Sequence, residues 1–181
     1  MNLRFLTASL LLTSVFLTPI VQAAPWSTWP ETGSAKLTWA FFDVYNSHLR
    51  TPAGKYQPNV WPQALVINYL RDISRKELTQ ATADQWKALG MLDEANQKQW
   101  LQAVEATWPD VTTGSEITFV GDQQGGQFYF RPALNGNTDK NATPVAIGQR
   151  FSPSFRDAFL AIWLSPSTQY PQLRKGLIGA R

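Results

Sequence analysis

No cysteine occurs in the 181-residue chain, and histidine occurs once, at His48. The first absence excludes disulfides, thiol chemistry and a lipidated cysteine, so stability has to come from a packed core. The second leaves no His/Cys cluster at transition-metal spacing, and the scattered acids, Asp139-Lys140-Asn141 included, lack the alternation of a calcium loop. Neither a Gly-x-Ser-x-Gly elbow nor a glycine-rich phosphate loop is present, so no nucleophile or phosphate cradle announces itself. Charge is sparse as well. Only 16% of residues are Asp, Glu, Lys or Arg, the net charge is +3, and the basic residues are scattered rather than clustered, which gives no nucleic-acid footprint. The expectation is a chain without metal, cofactor or nucleic-acid partner.

What the chain has instead is aromatic and aliphatic bulk, including eight tryptophans. Its first residues carry one positive charge, at Arg4. An apolar run from Phe5 to Val21 follows, and then Val21-Gln22-Ala23 at the spacing a signal peptidase reads. That pattern predicts a secretory signal peptide over residues 1–23 and one domain over 24–181, which places the mature protein in the periplasm. The apolar run is at the short edge of the roughly 20 residues a bilayer span needs, so no integral span is expected after cleavage.

The stretch Thr38 to Leu49, TWAFFDVYNSHL, reads as a single strand with an aspartate in its middle. Alternation sets Trp39, Phe41, Asp43 and Tyr45 on one face, which would bury Asp43 among aromatics. A buried carboxylate needs a cation or a proton, and Lys36 and Arg71 are the candidate partners. Otherwise Asp43 faces a cavity whose contents matter.

Further along, Ala64 to Arg71 predicts a second strand after Pro62. Ser74-Arg-Lys-Glu77 and Thr82-Ala-Asp-Gln85 both fit capping boxes, predicting two short helices up to about Gly90. A longer helix is expected from about Asp93, with Trp100, Val104 and Trp108 in one apolar stripe and Pro109 ending it. Glu116 to Val120 and Gln127 to Phe130 read as strands around a glycine turn, with a short strand at Pro144 to Ile147. Ser152-Pro153 supplies an N-cap and first-turn pair for a helix bearing Phe155, Phe159 and Ile162, and a last helix covers about Pro171 to Ile178.

Taken in order, Gly33-Ser-Ala-Lys-Leu37, Phe42 to Leu49, Leu65 to Asp72, Trp108-Pro-Asp-Val111 and Phe159 to Leu164 before Leu173-Arg174 give a chain that resembles the bacterial chalcone isomerase-like family of exported proteins. The resemblance implies an α+β fold, the chalcone isomerase-like open-faced β-sandwich. In it a curved antiparallel sheet is backed by helices, with a cleft between the two. The wider superfamily holds plant isomerases, non-catalytic enhancers and plastid fatty-acid-binding proteins, so sites rather than fold decide function. In the plant enzymes an arginine on the first core strand holds the substrate and a threonine on the next helps place a water. The matching positions here are Lys36 and Asp43. Lysine lacks the planar fork of donors, and aspartate would repel a developing oxyanion, which argues against isomerase chemistry of the plant type.

The expected site is therefore a ligand cleft rather than a catalytic one. Its candidate residues are Lys36, Asp43, Tyr45, Tyr69 and Arg71, the two tyrosines as core residues with hydroxyls in reach of the cleft and Arg71 aimed at a ligand carboxylate. Three functions stay open. One is binding of a small apolar or amphipathic molecule such as a fatty acid; the second is an isomerase or lyase of another substrate; the third is a structural or interaction protein whose cleft its own side chains fill.

Overall fold

The computed structural model describes residues 25–90 and 94–180. The expected signal peptide, residues 1–23, and the expected helix start at Asp93 lie outside the described residues. A 3-10 turn at Pro25–Thr28 leads into β1 (Glu31–Trp39), β2 (Phe42–Arg50), β3 (Gln63–Tyr69), α1 (Arg75–Leu89) and α2 (Glu94–Thr107). There follow β4 (Glu116–Asp122), β5 (Gly125–Arg131), the two-residue pair β6 (Ala133–Leu134) and β7 (Asn137–Thr138), β8 (Val145–Phe151), α3 (Pro153–Leu164) and α4 (Pro171–Leu177). Six strands pair antiparallel in the order β1-β2-β3-β4-β5-β8, leaving β1 and β8 as edges of an open sheet. The class is α+β.

Alternation gives the sheet two unlike faces. Tyr45 opposite Tyr69, Leu49 opposite Leu65, Ile67 opposite Ile117 and Phe119 opposite Phe128 are all buried, and they form the face on which the helices lie. The row Asn46, Asn68, Glu116, Arg131 runs across the other face. Fully burying one of the aromatic or aliphatic side chains on the first face contributes about 1.5–3 kcal/mol, so the covered face carries most of the driving force.

Local chemistry starts the helices where the residues indicate. The Ser152 hydroxyl accepts from the Phe155 N–H at 3.2 Å and Pro153 fills the first turn of α3. At α1 the Ser74 and Glu77 capping box forms, and Gly90 ends the helix in the left-handed region at φ 62°. The second box does not form. Nothing between Glu77 and Thr82 breaks a helix, so α1 runs on unbroken, and the buried Thr82 hydroxyl donates to the Leu78 carbonyl one turn back at 2.9 Å. Helix α4 lies against β1 at a contact only glycine permits: a Cβ on Gly33 would stand 2.1 Å from the Gly176 carbonyl oxygen.

The stretch 38–49 is not one strand. It is the end of β1, a two-residue turn at Ala40-Phe41 and the start of β2, with Ala40 at φ 54°. Thr38 faces Asp43 while Leu37 faces Tyr45, so Val44 is an extra residue bulged into the ladder. Turn and bulge together cancel the simple alternation, and Asp43 stands half-exposed near the hairpin tip rather than buried among rings.

Candidate functional site

The layer between sheet and helices is filled unevenly. At the end formed by β4, β5, β8 and the start of α3, Phe119 and Phe128 have ring centroids 4.6 Å apart, Phe151 and Phe155 stack at 4.0 Å, and Phe128 meets Phe159 at 5.0 Å. Trp108 closes against Phe128 at 5.4 Å and Phe159 at 6.1 Å. Beyond this partition the packing opens into a cavity of about 430 Å³.

Tyr45, Ile67, Tyr69 and Ile117 line the cavity from the sheet, and Phe159, Ile162 and Trp163 from α3. Leu78, Ala81, Thr82 and Gln85 line it from α1, and Tyr170 lies beyond α3. On α1 these positions recur at the three- and four-residue steps of one helical face. The mouth lies where the exposed Trp39 of the hairpin tip and the exposed Ala81 both reach the lining. Its size falls within the roughly 300–1,000 Å³ of small-molecule sites, and its walls are mostly apolar with a few polar groups.

Those polar groups have definite states. Trp163 Nε1 donates to the Tyr45 hydroxyl at 2.9 Å, which fixes that ring across the layer. Burial pushes the Tyr45 and Tyr69 hydroxyls well above the usual phenol range, so both are neutral donors and acceptors. Gln85 Nε2 donates to the Tyr170 hydroxyl at 3.3 Å. Among the described residues four buried side-chain polar atoms lack a hydrogen-bond partner, and two of them, Gln85 Oε1 and Trp108 Nε1, belong to residues lining this cavity. Such atoms are uncommon in folded proteins because each costs about 1–3 kcal/mol when left unpaired.

Of the five residues expected to form the site, the structure brings Tyr45 and Tyr69 to the cavity and leaves three outside its lining. Lys36 Nζ donates to Asp43 Oδ2 at 2.7 Å, and the Thr38 hydroxyl donates to Asp43 Oδ1 at 2.8 Å. The Lys36 ammonium is the main reason the Asp43 carboxyl titrates below the ordinary aspartate range, and the Thr38 hydrogen bond adds to it. Arg71 is exposed, with its guanidinium carbon 5.6 Å from the centroid of the Phe42 ring, and it does not point into the cleft at a carboxylate. The α1 contribution, Ala81, Thr82 and Gln85, was concealed by dividing α1 at Thr82; read as one helix, Leu78, Ala81, Thr82 and Gln85 have amphipathic spacing.

The opposite face of the sheet carries a second, wider groove of about 800 Å³, bounded by Trp26 and by residues 136–144. Its polar groups serve one another. Asn68 Nδ2 donates to Glu116 Oε2 at 3.0 Å, Arg131 lies 3.6 Å from Glu116 Oε1, and the His48 ring is 3.0 Å from Glu31 Oε2. Arg131 Nε is buried and unpaired. Trp26 seals one side of this face by packing on Ala64 and Val66, with its ring 4.2 Å from that of Tyr129.

Among the described residues no group of three or more His, Cys, Asp or Glu could hold a metal ion, and no helix is long and apolar enough to cross a membrane. No family model matches the chain. The sequence is similar to an uncharacterized protein of Haemophilus influenzae, with 27% identity over 158 residues, covering 87% of this chain and 72% of that one.

Proposed function

We propose that the protein is a non-catalytic binder of a small apolar or amphipathic molecule, held in the cavity between sheet and helices, within a chalcone isomerase-like open-faced sandwich exported to the periplasm. The observation that carries the reading is the cavity itself, apolar on most of its walls and placed between sheet and helices. A protein able to fill half of this layer with interlocking rings leaves the other half open, beside polar atoms that lack partners. A bound molecule would gain from burying its apolar body there. The positions that match the plant isomerase residues support the non-catalytic side: Lys36 and Asp43 neutralise each other outside the lining.

Titration with N-phenyl-1-naphthylamine, a neutral apolar dye that brightens out of water, tests this reading. Saturable one-to-one binding, displaced by dodecanol, is expected from the full mature chain. The variant Ala81→Trp, which adds bulk at the mouth, should lose that binding while melting within a few degrees of the parent. Binding that survives unchanged in the variant, or never saturates, would contradict the assignment to this cavity.

A further inference from the structure

The cavity's charged lining has one sign. Among the described residues the ionisable acid and base side chains that reach it are Glu77 and Asp84, two exposed carboxylates seven residues apart on α1, and no lysine or arginine lines it. Nearby cations are committed elsewhere. Lys36 is bound to Asp43, and Arg71 lies over Phe42, outside the lining. Glu77 accepts from the Ser74 backbone N–H and hydroxyl at 2.9 and 2.7 Å, and Asp84 Oδ1 from Gln80 Nε2 at 3.0 Å, so both carboxylates are held in place on the helix.

The amide next to Asp84 on the helix does not supply a counter-charge. Gln85 spends its Nε2 on Tyr170 and keeps Oε1, an acceptor, buried and unpaired. The buried, unpaired indole N–H of Trp108 is neutral and does not offset two negative charges. Trp39, exposed at the mouth, adds an aromatic face of the kind that attracts cations. Both charged groups here would favour a cationic donor at the ligand's polar end and would repel a carboxylate.

We infer that the cavity takes an amphipathic amine, an apolar body ending in a protonated nitrogen, and discriminates against fatty acids. This rests on the cavity-binding reading above and narrows its ligand class. Discrimination should be modest, because exposed charge pairs contribute little each; two of them acting in opposite senses on the two head groups amount to about tenfold in affinity.

The test displaces N-phenyl-1-naphthylamine from the full mature chain with dodecylamine, dodecanol and dodecanoate, each below its micelle concentration at neutral pH and low salt. The expected order is amine tightest, alcohol between, carboxylate weakest, with the amine about tenfold ahead of the carboxylate. Glu77→Gln with Asp84→Asn, which keeps a capping-box residue at position 77, should bring amine and carboxylate within about twofold while dodecanol binds as before. Dodecanoate equal to or tighter than dodecylamine in the parent overturns this inference and leaves the cavity reading standing. An amine preference that persists in the double variant overturns the role given to these two carboxylates. Failure of all three to displace the dye overturns the cavity reading, and this inference with it.

Discussion

In one half of the layer between sheet and helices Phe119, Phe128, Phe151 and Phe155 meet ring against ring; in the other half Tyr45, Tyr69, Ile67 and Trp163 surround an open volume. The two halves lie on one sheet and share β4, and Phe159 and Trp108 stand between them. The residue types differ in a telling way. Phenylalanine dominates the packed half, where the Trp86 indole N–H is paired with the Ala158 carbonyl, whereas the walls of the open half carry hydroxyls, indole N–H groups and an amide. A core built only for stability gains from the first choice and loses from the second. The open half is where the layer is left unfilled.

Substitutions in the two halves should accordingly differ in size and sign. The largest effect is expected at Phe128, fully buried against four other rings and Trp108: Phe128→Ala should cost about 3–5 kcal/mol in denaturant melts, since its neighbours are locked and cannot collapse into the space. Overpacking the same half should come next. A Cβ at Gly126 would stand 2.1 Å from Phe119 Cζ, so Gly126→Ala should cost about 1–3 kcal/mol. At the wall of the open half, Tyr45→Phe removes the acceptor of the Trp163 indole and should cost about 1 kcal/mol. Added bulk at the mouth should be nearly free: Ala81→Trp, exposed and facing open volume, is expected within about 0.5 kcal/mol of the parent. If Gly126→Ala and Ala81→Trp cost the same, the contrast between the halves is wrong.

Smallest of all is the effect expected at the aspartate that sequence alone made conspicuous. Asp43→Asn should leave the urea midpoint unchanged, because its pair with Lys36 is exposed at a hairpin tip. What the pair does contribute is complete above the ordinary aspartate pKa and disappears as pH falls through the lower value Asp43 has when folded. Melts of parent and variant should therefore converge in acid. A variant markedly less stable at neutral pH would restore the buried-acid reading.

Much of the frame was legible because it depends on near neighbours in the chain. Ser74 with Glu77 and Ser152 with Pro153 carry their instructions within a few residues, and the hairpin of β4 and β5 forms as expected, although its turn is Gln123-Gln124 and the two glycines open β5. Where long-range packing decides, local signals misled. The turn at Ala40-Phe41 has no Gly, Asn or Pro, and its left-handed Ala40 is held by the pairing of β1 with β2, which a propensity argument does not see. Thr82-Ala-Asp-Gln85 has the letters of a capping box, but a cap needs a chain entering from outside a helix, and here α1 simply continues. The same misreading hid half the site. Tyr45 and Tyr69 were legible as core tyrosines with hydroxyls in reach of a cleft, whereas Ala81, Thr82 and Gln85 belong together only once α1 is one helix lying over the sheet. Lys36, Asp43 and Arg71 were attractive for their charge, and charge at a hairpin tip or helix entrance usually finds solvent and a neighbour, as theirs does.

The wider groove on the uncovered face is the natural rival, being larger and lined by His48, Glu116 and Arg131. Co-crystallisation with 12-bromododecan-1-ol, followed by an anomalous difference map at the bromine edge, separates the two directly. The account expects a bromine peak in the cavity between β3 and α1, with the ligand hydroxyl near Gln85. A peak confined to the groove beside Arg131 would contradict it.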